Sequence, residues 1–459
     1  MQSLKFSRFL LPILVLFASC REQQKEPSAT TVAIADSSEQ AWFAQSNIYE
    51  VNLRQYTTEG TIKAFAKSLP RLKEMGVEIL WFMPITPIGI EGRKESKKDM
   101  GSYYAVRNYT AFNEDYGSIE DWKAFVQQAH SMGFKVITDW VANHSAPDNN
   151  WITSHPNFYA KDSTGKMIAP FDWTDVRKLN YDNRELRDSM VAAMKFWLQE
   201  TKIDGFRCDV ASEVPGDFWI DCISQLKAVN PAIFMLAEGD KPVLHANGFN
   251  ATYAWSDMSA IEKFYKKEFT LAQVDSVLNH NFNIYPADAA RLYFTTNHDE
   301  NSWNGTEYEK FGDAYKTVAV LSQTMNRSIP LIYSGQEAAN KKRLKFFVKD
   351  PIPWDSSYSM APFYKTLLEL RTSTPALAYN ASYKRIPTSN DAAVFAYQRE
   401  KDGRKILVLL NMSKTPQQFT ISDKSIDGEP MNVFKGVKEK VASEQIFNLA
   451  ASGFALYNY

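Results

Sequence analysis

The stretch GFRCDVASEVP, residues 205–215, sets two opposite charges, Arg207 and Asp209, two positions apart in an otherwise apolar run. Such a run between helical segments reads as a buried strand. Alternation then puts both charges on one face, with Phe206, Cys208 and Val210 on the other. Burying charge is unfavourable unless pairing offsets it, so a strand of this kind belongs to a fold whose interior carries chemistry.

Seven further runs share its character: IYEVN (48–52), VEILWFMP (77–84), FKVITDW (134–140), AIFMLAE (232–238), ATYAW (251–255), RLYFTTN (291–297) and IPLIYS (329–334). Helical patterns separate them at 61–75, 118–132, 183–201, 216–229 and 311–326. Ser118 is placed to cap its helix, with Glu120 and Asp121 in the first turn. Apolar strands alternating with helices predict an α/β fold with a parallel sheet covered on both faces. Eight such units over 42–376 fit a closed (β/α)8 TIM barrel. The connection at 145–182, rich in Asn, Asp, Pro and aromatics, is an inserted domain after the third strand, and insertions of that length are usually functional. From 377 to 459 short alternating strands without helices predict a C-terminal antiparallel β-sandwich domain.

With 44% hydrophobic and 23% charged residues and a net charge of −1, the chain has no basic excess to hold nucleic acid. Its 14% aromatic content serves the core first, and the surplus suits a cleft that stacks flat rings on pyranose faces. At the start, Lys5 and Arg8 precede the apolar run FLLPILVLFAS (9–19), too short to span a bilayer and of the form of a signal peptide. Ala18-Ser19 before Cys20 resembles a bacterial lipobox, which makes Cys20 a lipidation site, 1–20 the signal, 21–41 a flexible tether, and the bacterial cell envelope the destination. An ordinary cleaved signal is the alternative. Cys208 and Cys222 read as two reduced, buried thiols, with a disulfide as the alternative.

Charged residues recur where the strands end. Asp139, Asn143 and His144 follow the third; Arg207 and Asp209 end the fourth; Glu238 ends the fifth; Asn297, His298 and Asp299 end the seventh. The C-terminal rim of a barrel is where catalytic groups gather from different strands. The six histidines lack the spacing of a metal hydrolase, and no G-x-S-x-G elbow marks a serine nucleophile. A pair of carboxyl groups, one attacking and one protonated, fits glycoside hydrolysis, with Arg207 as the neighbour that keeps Asp209 ionised.

DWVANH (139–144), GFRCDVASE (205–213), AEGD (237–240) and TNHD (296–299) resemble, in order, the four signature regions of the α-amylase family of glycoside hydrolases. VRKLN (176–180) and GSYYAVRNY (101–109) resemble further segments of that family. The resemblance implies Asp209 as nucleophile, Glu238 as general acid/base and Asp299 as the acid that grips two hydroxyls. Tyr104 would stack on the sugar, His144 and His298 would hydrogen-bond it, and Asp139 would orient Arg207. DVASEV is similar to the DVANEV pattern of neopullulanases, cyclomaltodextrinases and maltogenic amylases. Large-polymer amylases usually carry Lys-His where Ser212-Glu213 stands.

The implied activity is retaining hydrolysis of α-glucosidic bonds in starch-derived maltooligosaccharides. The alternatives are a transglycosylase or α-glucosidase on the same scaffold, or a non-catalytic glycan-binding protein. No cofactor is implied for the chemistry. A structural calcium stays open, with Asn143 its only candidate ligand and Glu213 in place of the histidine whose backbone commonly completes that site.

Overall fold

The computed structural model describes residues 41–93, 98–355 and 357–459. The expectations for the signal peptide, for Cys20 and for all but the last residue of the tether lie outside the described residues. Among the described residues no helix is long and apolar enough to cross a membrane.

Eight parallel strands close into a barrel in chain order: β1 Ile48–Val51, β2 Ile79–Phe82, β3 Lys135–Val141, β4 Gly205–Asp209, β5 Phe234–Ala237, β6 Ala251–Tyr253, β7 Ala290–Tyr293 and β8 Ser328–Tyr333. Alternate residues face the two sides. Ile48, Ile79, Trp81, Ile137, Phe234 and Leu236 share one buried cluster, while Tyr49, Leu80, Phe82, Val136, Phe206 and Met235 pack with the helices in another. Each fully buried Leu, Ile, Val or Phe contributes about 1.5–3 kcal/mol, so the helix layer is held chiefly by burial. The register pairs Asp139 with Arg207 and Arg207 with Leu236, which stacks the rim charges above the apolar interior. Gly205 makes this possible: a Cβ there would lie 1.9 Å from the Phe234 carbonyl oxygen.

Local rules account for the helices. Ser118 and Asp121 form a capping box on Ile119–Ser131, and Asn183 caps Arg184–Thr201. The single helix expected at 61–75 is two, Ile62–Ala66 and Leu69–Met75. Pro70 lacks the N–H that would continue the ladder and crowds the carbonyl four residues back. The helix expected at 311–326 starts late, at Tyr315, because Gly312 leaves helical geometry at φ +55°. Val210, expected on the helix-facing side of β4, lies past the strand end in the left-handed region at φ +35°.

The insertion is a small lobe in which His144–Ser145 pairs antiparallel with Arg177–Lys178. The C-terminal region forms a six-stranded antiparallel sheet, and a two-stranded ladder of Gln417–Phe419 and Phe447–Leu449 covers one face. Leu407 and Leu409 of the sheet pack on Phe419 and Phe447 of the ladder, giving the expected two-layered arrangement. Val408 and Leu410, on the other face, join the cluster that contains Val318 and Leu321 of the helix Tyr315–Thr324, which leads into β8. Cys208 and Cys222 are buried free thiols.

Candidate active site

Arg207 is the hub of the rim. Its Nη1 lies 2.9 Å from both Asp139 Oδ1 and Asp209 Oδ1, and its Nη2 lies 3.1 Å from Glu238 Oε2. Nε donates to the Tyr253 hydroxyl at 3.0 Å, and the guanidinium stands 5.2 Å from the Trp81 ring centroid. A planar fork of donors is the side chain suited to holding several carboxylates at fixed angles. Glu238 Oε2 also accepts the Val210 N–H at 2.7 Å. That bond accounts for the left-handed Val210, since a β-branched residue held there costs about 1–3 kcal/mol.

One positive charge shared among three acids does not serve them equally. Burial, followed by the charge of Glu238, pushes Asp209 well above the usual carboxylate range. Burial pushes Glu238 upward too, but the Arg207 charge and the Val210 N–H outweigh it, and Glu238 is held low. Asp139 is pushed up to about 6, burial outweighing its pairing with Arg207. Arg207 lowers Asp209 as expected, but burial and the charge of Glu238 act against it, because the one guanidinium is divided among three acids.

A second relay runs beside it. His298 Nδ1 lies 2.5 Å from Glu50 Oε1, while Nε2 lies 2.7 Å from the Tyr104 hydroxyl and 3.3 Å from Asp299 Oδ2. Tyr104 in turn donates to Asp139 Oδ2 at 3.1 Å. Burial works against charging His298, but Asp299 and Glu50 prevail and raise it to about 9, so it is an imidazolium at neutral pH. His144 is the opposite case, pushed down to about 3 by burial and therefore neutral. The Asn143 amide lies 3.3 Å from His144 Nδ1, and Trp173 of the insertion meets the same ring edge-on at 5.3 Å. Asp299 is half-buried and raised, burial outweighing the charge of His298.

The structure thus brings together Tyr104, Asp139, Arg207, Asp209, Glu238, His298 and Asp299, with His144 and Asn143 side by side at the start of the insertion. Ser212 and Glu213 sit on a turn directly after β4. Ser212 lies against Gly239, where a Cβ would meet its Oγ at 2.5 Å. Sequence reasoning missed Glu50 and Tyr253. Glu50 had a signal of the same kind as Arg207, a charge inside the apolar run IYEVN, whereas a tyrosine in ATYAW gives none. Among the described residues no group of three or more His, Cys, Asp or Glu side chains could hold a metal ion. Asn143 alone does not meet the six to eight oxygens of a calcium site.

Chemically, two carboxyl groups held by one guanidinium are equipped to act as a nucleophile and a proton donor.

The α-amylase catalytic-domain family model matches residues 33–173 and 159–221. The chain is similar to Alpha-amylase 3 of Dictyoglomus thermophilum, 23% identical over 87% of this chain and 91% of the relative. A Cyclomaltodextrinase from a Bacillus species is 25% identical over 77% of this chain and 66% of its own length. Among solved structures, a noncanonic maltogenic alpha-amylase, AmyB of Thermotoga neapolitana, superposes with a TM-score of 0.82 at 27% identity, covering 91% of this chain and 99% of that one.

Proposed function

We infer that this chain, an α-amylase family glycoside hydrolase, cleaves α-glucosidic bonds of short maltooligosaccharides with retention of configuration. The observation that carries the reading is the pair Asp209 and Glu238 on the single guanidinium of Arg207. Sharing one guanidinium favours the close spacing of retaining enzymes, about 5–5.5 Å, over the wider spacing that leaves room for an attacking water. An Asp209 oxygen attacks the anomeric carbon, and the glycosidic bond breaks as Glu238 gives its proton to the departing oxygen. Glu238, now ionised, takes a proton from water, which attacks the glycosyl ester and frees Asp209.

Short substrates are supported by Ser212-Glu213 beside this pair and by relatives named for maltogenic and cyclomaltodextrin activity. The reaction needs no cofactor. Release of reducing sugar from maltoheptaose, cyclodextrin, pullulan and sucrose, followed by product chromatography, tests the reading. Maltoheptaose and cyclodextrin should be cleaved, and inactivity on every α-glucan would refute it. Products longer than the substrate would assign the same site to glycosyl transfer. We further propose that Cys20 carries a lipid anchor to the cell envelope, for which loss of the protein from the membrane fraction in Cys20→Ser is the test.

A further inference from the structure

Glu50 lies near the end of β1 and is fully buried inside the barrel. A carboxylate there is costly unless something needs it. Its Oε1 meets His298 Nδ1 at 2.5 Å, and its Oε2 meets no polar partner. The strand does not need this side chain. The Glu50 backbone carbonyl accepts the Ser334 N–H and hydroxyl, and β1 pairs with β2 and β8 through backbone alone. The side chain therefore serves the imidazole, and the imidazole serves Tyr104 and Asp299 through Nε2.

We propose that Glu50 is a positioning residue of the glycosidase reaction: it fixes the ring and proton of His298, and His298 holds Asp299 and Tyr104 in place against the sugar. The proposal rests on the glycosidase reading of the same site. It is independent of which α-glucan is preferred, because both groups that His298 holds surround the ring being cleaved. The groups facing His298 are Asp299 beside it in sequence, Glu50 from β1, Arg207 from β4, and Tyr104 from the loop after β2; Asp139 from β3 and Glu238 after β5 act at longer range. Arg207 disfavours the imidazolium, so the carboxylates must supply it. Glu50 is the carboxylate in closest contact.

The test uses the full protein and the near-isosteric Glu50→Gln. The titration midpoint of His298, followed by NMR, should fall by at least one pH unit, and the basic limb of the kcat/KM profile on maltotriose should move with it. Loss of orientation in the site should lower kcat/KM at pH 7 by about 10²-fold. Glu50→Asp should restore part of the loss, and Glu50→Gln should add nothing to His298→Gln. An unchanged His298 midpoint, or a fall in activity with an unshifted pH profile, would overturn the proposal. If the wild type cleaves no α-glucan, the reading of the site fails, while the His298 midpoint still decides whether Glu50 governs the imidazolium.

Discussion

Arg207 and His298 divide the work of the site between two kinds of positive charge. The guanidinium is permanent and bridges Asp139, Asp209 and Glu238, whereas the imidazolium exists because Glu50 and Asp299 flank it. That difference has a consequence for stability. His298 is raised from 6.5 to about 9 in the fold. A raised value stabilises the native state fully below the unfolded pKa and is lost as pH climbs through the folded one. Stability should therefore decline between about pH 6.5 and 9, with a slope approaching 1.4 kcal/mol per pH unit for one proton. Glu307, raised to about 7 by burial, works in the same direction at lower pH. Urea unfolding at pH 6, 7.5 and 9 checks this, and Glu50→Gln should flatten the decline above pH 6.5. At this scale Asp209, Glu238 and Asp299 were legible, because charge inside or just after an apolar strand is conspicuous. The way one guanidinium binds three acids was not, since it depends on Arg207 reaching three strands and on a Val210 N–H turned toward Glu238.

Among the elements, β4 and β5 set the geometry of the pair. Gly205 lets the two strands approach, and any side chain there meets the Phe234 carbonyl, a backbone group that cannot swing away. Gly205→Ala should cost about 1–3 kcal/mol by overpacking, and it should lower activity more than stability, because the displaced strand carries Arg207 and Asp209. Circular dichroism melting alongside kcat/KM measures both. All eight strands were legible from their apolar runs and helical spacers. What escaped was where elements break: Pro70 splits one helix, Gly312 delays another, and Val210 leaves β4 through a conformation that its residue type disfavours. The first two are readable afterwards as ordinary chain breakers. The third answers to a tertiary hydrogen bond and has no local signature.

For the molecule as a whole, a buried cation adds to the apolar packing that ties the C-terminal sheet to the barrel. Arg399 donates to the carbonyls of Thr324 and Met325, where the helix Tyr315–Thr324 ends before β8, and to those of Ala378, Ala381 and Ser382. It satisfies helix-end acceptors that would otherwise be buried alone. Arg399→Met should cost at least about 3 kcal/mol, because several carbonyls lose a charged donor together, and calorimetry should show a lower transition temperature. The existence of this domain was legible in its strand pattern, whereas its attachment was not, since Arg399 lies in an alternating strand like any surface arginine. The function proposed for the site makes one central claim, that Asp209 becomes covalently bonded to the sugar while Glu238 moves the proton. The direct measurement is mass spectrometry of peptides after reaction of the whole protein with a 5-fluoro-α-glucosyl fluoride, in wild type and in Asp209→Asn. The account predicts a glycosyl adduct on the peptide bearing Asp209 and none in the variant. An adduct on another carboxylate, or wild-type turnover by Asp209→Asn, would contradict it.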